Sequence, residues 1–166
     1  MHNKIVVIAD DIRSSHNVGS LLRTCEGLGV EKVYLSGYTP YPITKNDTRL
    51  PHIAQKITNK IVKTSLGSEN TIAWEHVDDL ELLIDDLKTK GYQIVAVEID
   101  ESATALNKIK FQDKTAFIFG NEATGIPVEH LKYANKTIYI PMLGKKESFN
   151  VVQCAAMVLY AARYID

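Results

Sequence analysis

Apolar residues in this chain fall into two rhythms that alternate from one end to the other. Nearly unbroken runs recur at Lys4–Asp10 (KIVVIAD), Lys32–Gly37 (KVYLSG), Tyr92–Ile99 (YQIVAVEI), Thr115–Gly120 (TAFIFG) and Lys136–Met142 (KTIYIPM). Such runs mark strands covered on both faces, as in a parallel sheet. IAWEHV adds a shorter candidate strand. Between the runs the spacing changes to three and four. In NVGSLLRTCEGLG, Val18, Leu21, Leu22, Cys25 and Leu28 share one helical face, Asn17 stands at the cap position and Gly29 ends the helix. DDLELLIDDLKTKG is a second amphipathic helix, acidic at its start, lysine-bearing at its end and closed by Gly91. A last helix is predicted from about Phe149 to about Tyr164, with Ser148 as its cap.

From Tyr38 to Asp47 the chain has no period and is rich in Pro, Thr and Asn, which is loop chemistry. A helical segment follows, with Ile53, Ile57 and Ile61 on one side and Arg49, His52, Lys56, Lys60 and Lys63 on the other. Strands separated by helices predict an α/β fold, a mostly parallel sheet with helices on both faces. A length of 166 residues suits one domain over the whole chain, residues 1–166.

Composition narrows the functional classes. With 45% hydrophobic and 23% charged residues the chain is neither disordered nor fibrous. The runs Ile5–Ile8 and Val151–Ala162 are too short or too interrupted for a membrane span or a signal peptide, so no membrane partner and a cytoplasmic location are expected. Cys25 and Cys154 lack Cys-x-x-Cys spacing and fit helix cores as small hydrophobes. A net charge of −1 leaves only local basic patches to attract nucleic acid.

No glycine-rich dinucleotide or phosphate-loop fingerprint follows the first strand, where the sequence reads DDIRSSHNVGS. Glycines gather instead in FGNEATG and IPMLGKKES, behind two late strands. Ligands of open parallel sheets bind at the carboxyl ends of strands, so these loops are the expected pocket. Glu122 lies between two of these glycines. Its surroundings alone admit a first-turn acid or a group that holds reactants; no His, Asp or Cys stands at ligand spacing beside it, and no metal is expected.

Three segments, NVGSLLRTCEGLGV (Asn17–Val30), FIFGNEATGIP (Phe117–Pro127) and IPMLGKKESFNVVQCAA (Ile140–Ala156), resemble in order and spacing the SpoU or TrmH-type branch of the SPOUT RNA methyltransferases. That resemblance implies a C-terminal deep trefoil knot, a homodimer with its site near the subunit boundary, and S-adenosylmethionine as cofactor. The reaction implied is methyl transfer to a ribose 2′-hydroxyl of RNA, with tRNA favoured over rRNA. It places catalytic roles on Asn17, Arg23, Glu122, Ser148 and Asn150, and cofactor contacts on Phe119, Gly120, Asn121, Glu122, Ile140, Met142, Gly144, Phe149 and Asn150. Arg23 would grip a phosphate with its planar fork. Glu122 would orient Arg23 or neighbouring loop groups. Two positions depart from the family pattern: Ala123 stands where a glycine is usual, and Phe149 where a leucine is.

RNA contacts are expected from Arg13, His16, Arg49, Lys56, Lys60, Lys63, Lys145 and Lys146, within the one domain and without a separate RNA-binding domain. A non-catalytic RNA-binding protein of the same fold would keep the basic stripe and lose Arg23, Glu122 or Asn150; all three are present. A small-molecule methyltransferase would have no need of the lysines.

Overall fold

The computed structural model describes residues 3–165. Its elements run β1 (Lys4–Asp10), α1 (Ser15–Gly27), β2 (Lys32–Ser36), α2 (Pro51–Ser65), β3 (Trp74–Val77), α3 (Leu80–Thr89), β4 (Gln93–Val97), β5 (Thr104–Ala105), β6 (Lys114–Phe119), α4 (Val128–Leu131), β7 (Lys136–Tyr139) and α5 (Val151–Tyr164). The seven strands form one sheet in the order β3-β2-β1-β6-β4-β7-β5, and every pairing is parallel. β5, only two residues long, has no periodicity to betray it in the sequence.

The strand residues alternate between two apolar layers, which is why the central runs read as unbroken. Ile5, Val7 and Ala9 pack with α1, α2 and α5 through Leu21, Leu22, Cys25, Ile61, Leu159 and Ala162. Val6 and Ile8 face the other way, toward Leu83, Ile84 and Leu87 of α3. In α2 the buried residues are Ala54, Ile61 and Ser65, whereas Ile53 remains exposed. Gly19 lets α1 lie against α2, because a Cβ there would strike the Ile61 carbonyl and the Thr64 hydroxyl. The contact is locked by Thr64, whose hydroxyl donates to the His16 carbonyl at 2.8 Å.

Two helix caps differ from those expected. Ser14, not Asn17, caps α1, its Oγ accepting from the Asn17 N–H at 3.3 Å. That leaves the Asn17 side chain free for other work. At α5 the cap is Asn150 instead of Ser148: its side chain accepts from the Val152 N–H at 2.9 Å, and Gln153 accepts from the Asn150 N–H in return. Such reciprocal capping satisfies two donors that a helix start otherwise leaves unpaired. Among the described residues no helix is long and apolar enough to cross a membrane.

Candidate active site

The carboxyl ends of β4, β6 and β7 open into a cavity of about 490 Å³. Val97, Glu98 and Ile99 form one wall, the turn from Phe119 to Gly125 a second, and Tyr139, Ile140 and Met142 a third, while Ser148 to Val151 and Cys154 close it from the head of α5. Of the residues expected to hold a cofactor, Phe119, Gly120, Asn121, Glu122, Ile140, Met142, Phe149 and Asn150 line it. Gly144 does not. Beyond Met142 the chain turns outward, Leu143 is fully exposed, and nothing lies within 4 Å of the place where a Gly144 Cβ would be.

Backbone geometry builds the turn behind β6. Asn121 and Gly125 exchange N–H to carbonyl bonds of 3.1 and 2.9 Å, and Asn121 Oδ1 accepts from the N–H groups of Ala123 and Thr124. Gly125 has a φ of 70° and Gly120 leaves no room for a Cβ, which would sit 2.5 Å from the Ile126 nitrogen. Ala123 has no positive φ, so the usual glycine is dispensable there. Glu98 escaped the sequence reading because it continues an apolar strand pattern. Its carboxylate accepts from the N–H groups of Ile126 and Ile99, both at 2.8 Å, and braces the turn from the cavity side.

Glu122 projects from this turn toward the start of α1. It accepts from the N–H of Arg13 at 2.8 Å, from the N–H of Ser14 at 3.1 Å and from Asn17 Nδ2 at 2.7 Å. Partial burial pushes its carboxyl pKa up, but these donors together outweigh that and hold it below the ordinary glutamate value. Asn17 Oδ1 accepts in turn from Asn150 Nδ2 at 3.3 Å. One polar chain thus joins the three sequence motifs at the rim of the cavity, and the groups Glu122 holds within the chain are the Arg13–Ser14 backbone and Asn17, not Arg23.

Arg23 lies elsewhere. It stands six residues after Asn17, about 9 Å further along the helix and on another face. There it is exposed beside Ser20, Thr24 and Thr64, and it neither lines the cavity nor bonds Glu122.

The expected basic surface is partly assembled. His16, His52, Lys56, Lys60 and Lys63 line one shallow depression across α1 and α2. Arg49 is not part of it, because it precedes the helix and its guanidinium is already engaged. Its Nε donates to Asp47 at 2.8 Å, its Nη1 to the Tyr41 carbonyl at 3.0 Å, and its Cζ lies over the Tyr41 ring, 3.6 Å from the ring centroid. The Asp47 bond raises the Arg49 pKa and holds the Asp47 carboxyl well below the usual range. Arg13 borders a separate hollow next to the Glu122 turn, and Lys145 and Lys146 are exposed on the loop before α5. Among the described residues no group of three or more His, Cys, Asp or Glu side chains is placed to hold a metal ion.

The model of the SpoU rRNA Methylase family matches residues 4–160. The tRNA (guanosine(18)-2′-O)-methyltransferase of Aquifex aeolicus is 29% identical over 159 residues, covering 96% of this chain and 68% of that protein. An AdoMet-bound rRNA methyltransferase from Sinorhizobium meliloti shares the fold with a TM-score of 0.80 at 23% identity, over 98% of this chain. This chain spans only 56% of that one. The A. aeolicus TrmH/SpoU tRNA modifying enzyme has a TM-score of 0.75 at 27% identity, with 97% of this chain and 76% of its own covered.

Proposed function

Because the chain belongs to the SpoU rRNA methylase family, we propose that it transfers a methyl group from S-adenosylmethionine to the 2′-hydroxyl of a ribose in tRNA. The observation that carries this is the polar chain Glu122–Asn17–Asn150, which gathers the three motif segments at the mouth of one cavity. The cavity suits the cofactor: Phe119, Ile140, Met142 and Phe149 offer an apolar wall for an adenine, and the turn at Gly120–Gly125 offers backbone groups at close approach. When bound, the sulfonium supplies an already activated methyl group. The protein's part is then orientation of the acceptor. Asn17, Asn150 and Ser148 face the ribose, with Glu122 fixing the first of them and the loop at Arg13–Ser14.

Arg23 enters this reading through a second copy of the chain. Within one chain it stands too far along α1 to reach the cavity rim, and α5 leaves an aromatic face open, with Tyr160 and Tyr164 53% and 61% exposed and their rings 5.0 Å apart. A homodimer across these helices buries that face and brings Arg23 to the partner's ribose-binding rim, where its fork grips a phosphate. The return of the chain from β7 to α5, past the Glu122 turn, is read as the family's trefoil knot. The lysine depression of α2 then guides the RNA, with Lys145 and Lys146 beside the cavity. tRNA is favoured over rRNA by the stated substrate of the relative at 29% identity, and our reading takes the reaction to run in the cytoplasm.

The test is transfer of radiolabelled methyl from S-adenosylmethionine into separate tRNA and rRNA pools, followed by nucleoside analysis. Label in a 2′-O-methylated nucleoside of tRNA is expected. Label in rRNA alone would reassign the substrate, and none in either, with cofactor binding shown separately, would overturn the reaction.

A further inference from the structure

Tyr38 stands two residues past the end of β2, at the start of the loop behind it, and is 92% exposed. Exposure of that order is common at loose loop tips, but this loop start is not loose. The Tyr38 N–H donates to Asp11 Oδ1 at 2.8 Å, and the Gly37 N–H before it donates to the Val77 carbonyl at 3.1 Å. After it, the buried Thr39 donates to the Ala9 carbonyl at 2.8 Å and accepts from the Ile12 N–H at 3.0 Å. Asp11 itself is held at a φ of 54°, a conformation a non-glycine residue keeps only where its surroundings fix it. A large aromatic ring is thus mounted on a pinned backbone and given nothing to pack on. Among the described residues it makes no side-chain hydrogen bond.

What lies next to the ring indicates its partner. Tyr38, Arg13 and Asp11 border a hollow of about 460 Å³ whose far wall is Asn121, Thr124 and Pro127. Asn121 and Thr124 also line the cofactor cavity, so the two spaces stand back to back across one turn. An aromatic face beside an arginine is the pairing that takes a nucleotide, the base stacked on the ring and its phosphate met by the cation.

Resting on the methyl-transfer reading above, we propose that Tyr38 is a stacking platform for an unpaired base of the RNA, at or next to the nucleotide whose ribose is methylated. Its role is to position. Stacking explains an exposed ring on a rigid mount, and it places a base within one turn's thickness of the methyl donor.

Tyr38→Ala and Tyr38→Phe test this in the full chain, with kcat and KM measured on unmodified tRNA at saturating S-adenosylmethionine. The alanine variant is expected to lose roughly ten-fold or more in kcat/KM for RNA, as removal of a stacked ring does elsewhere. Its cofactor affinity and melting temperature should match those of the unaltered protein. The phenylalanine variant, which keeps the face and loses only the hydroxyl, should stay within about two-fold. An alanine variant with unchanged kcat/KM, or one whose cofactor affinity falls equally, would overturn the proposal, as would a phenylalanine variant as impaired as the alanine one. Should the unaltered protein itself fail to methylate any RNA while binding the cofactor, the methyl-transfer reading falls and this inference with it.

Discussion

Asn17 donates from Nδ2 to Glu122 Oε1 at 2.7 Å, and so ties the head of α1 to the turn behind β6. Its other amide atom, Oδ1, accepts from Asn150 at the head of α5 at 3.3 Å. Only a group that is donor at one end and acceptor at the other can bridge a carboxylate and an amide in this way. The bridge exists because Ser14 has taken over the capping of α1. An asparagine that looks like a cap in the sequence is thereby released to serve the site.

Glu122→Gln checks how much of this order depends on the carboxylate. Its folded pKa lies below the ordinary glutamate value, so its contribution is complete above that value and is lost as the pH falls toward the folded one. Glutamine keeps a single acceptor oxygen and leaves one of the Arg13 and Ser14 N–H groups to water. The site is solvent-exposed, so the expected loss is only about 1 kcal/mol at neutral pH. Thermal melting should show a gap between variant and unaltered protein that is constant at neutral pH and narrows as the pH falls below the ordinary glutamate value and through the lower folded one.

Arg23→Ala should reduce methyl transfer by about a hundred-fold while leaving cofactor affinity intact, since Arg23 touches no wall of the cavity. Whether it acts across a dimer is decided by mixing. If Arg23 serves the partner's site, co-folding inactive Arg23→Ala chains with inactive Glu122→Ala chains gives mixed dimers with one intact site, and about a quarter of full activity returns. No recovery in the mixture would assign Arg23 to its own chain.

The sheet and its coverage were legible because strands buried on both faces carry unbroken apolar runs, of which KIVVIAD is the clearest. The cavity wall was legible only through motif spacing, since Phe119, Ile140 and Met142, which line it, are indistinguishable by type from core residues. Glu98 stayed hidden: an acid at the end of an apolar strand gives no sign that a glycine turn will fold over its carboxylate. Arg49 misled in the opposite direction. Its spacing continued the lysine stripe, but Pro51 starts the helix after it and Asp47, two residues before, captures its charge. Periodicity reports which face a residue would occupy in a helix, not whether the helix reaches it.

The turn behind β6 contains a built-in contrast. Gly125→Ala forces a Cβ onto a backbone at φ 70° and into the place of the Glu98 carboxylate, whose bonds to Ile126 and Ile99 brace the turn. A loss of about 1–3 kcal/mol in stability is expected, together with weaker S-adenosylmethionine binding by calorimetry. Ala123→Gly, two residues earlier and free of positive φ, restores the more usual family residue and should cost less than about 1 kcal/mol, with cofactor affinity unchanged.

The depression on α2 and the cation beside it make opposite predictions. Lys56, Lys60 and Lys63 line an open surface with His16 and His52, and among the described residues none of the three lysines is in a salt bridge. Removing all three should raise the KM for tRNA at low salt by about ten-fold or more. It should also flatten the dependence of log KM on log salt by roughly two to three, because each phosphate left without its lysine keeps about one counterion that binding would have released. Arg49→Ala should leave that slope alone. Its guanidinium is engaged by Asp47 and stacked on Tyr41, so its loss leaves a partly buried carboxylate without its partner and appears as a lower melting temperature. A flattened salt slope in Arg49→Ala, or an unchanged one in the triple lysine variant, would place the RNA on another face of the protein.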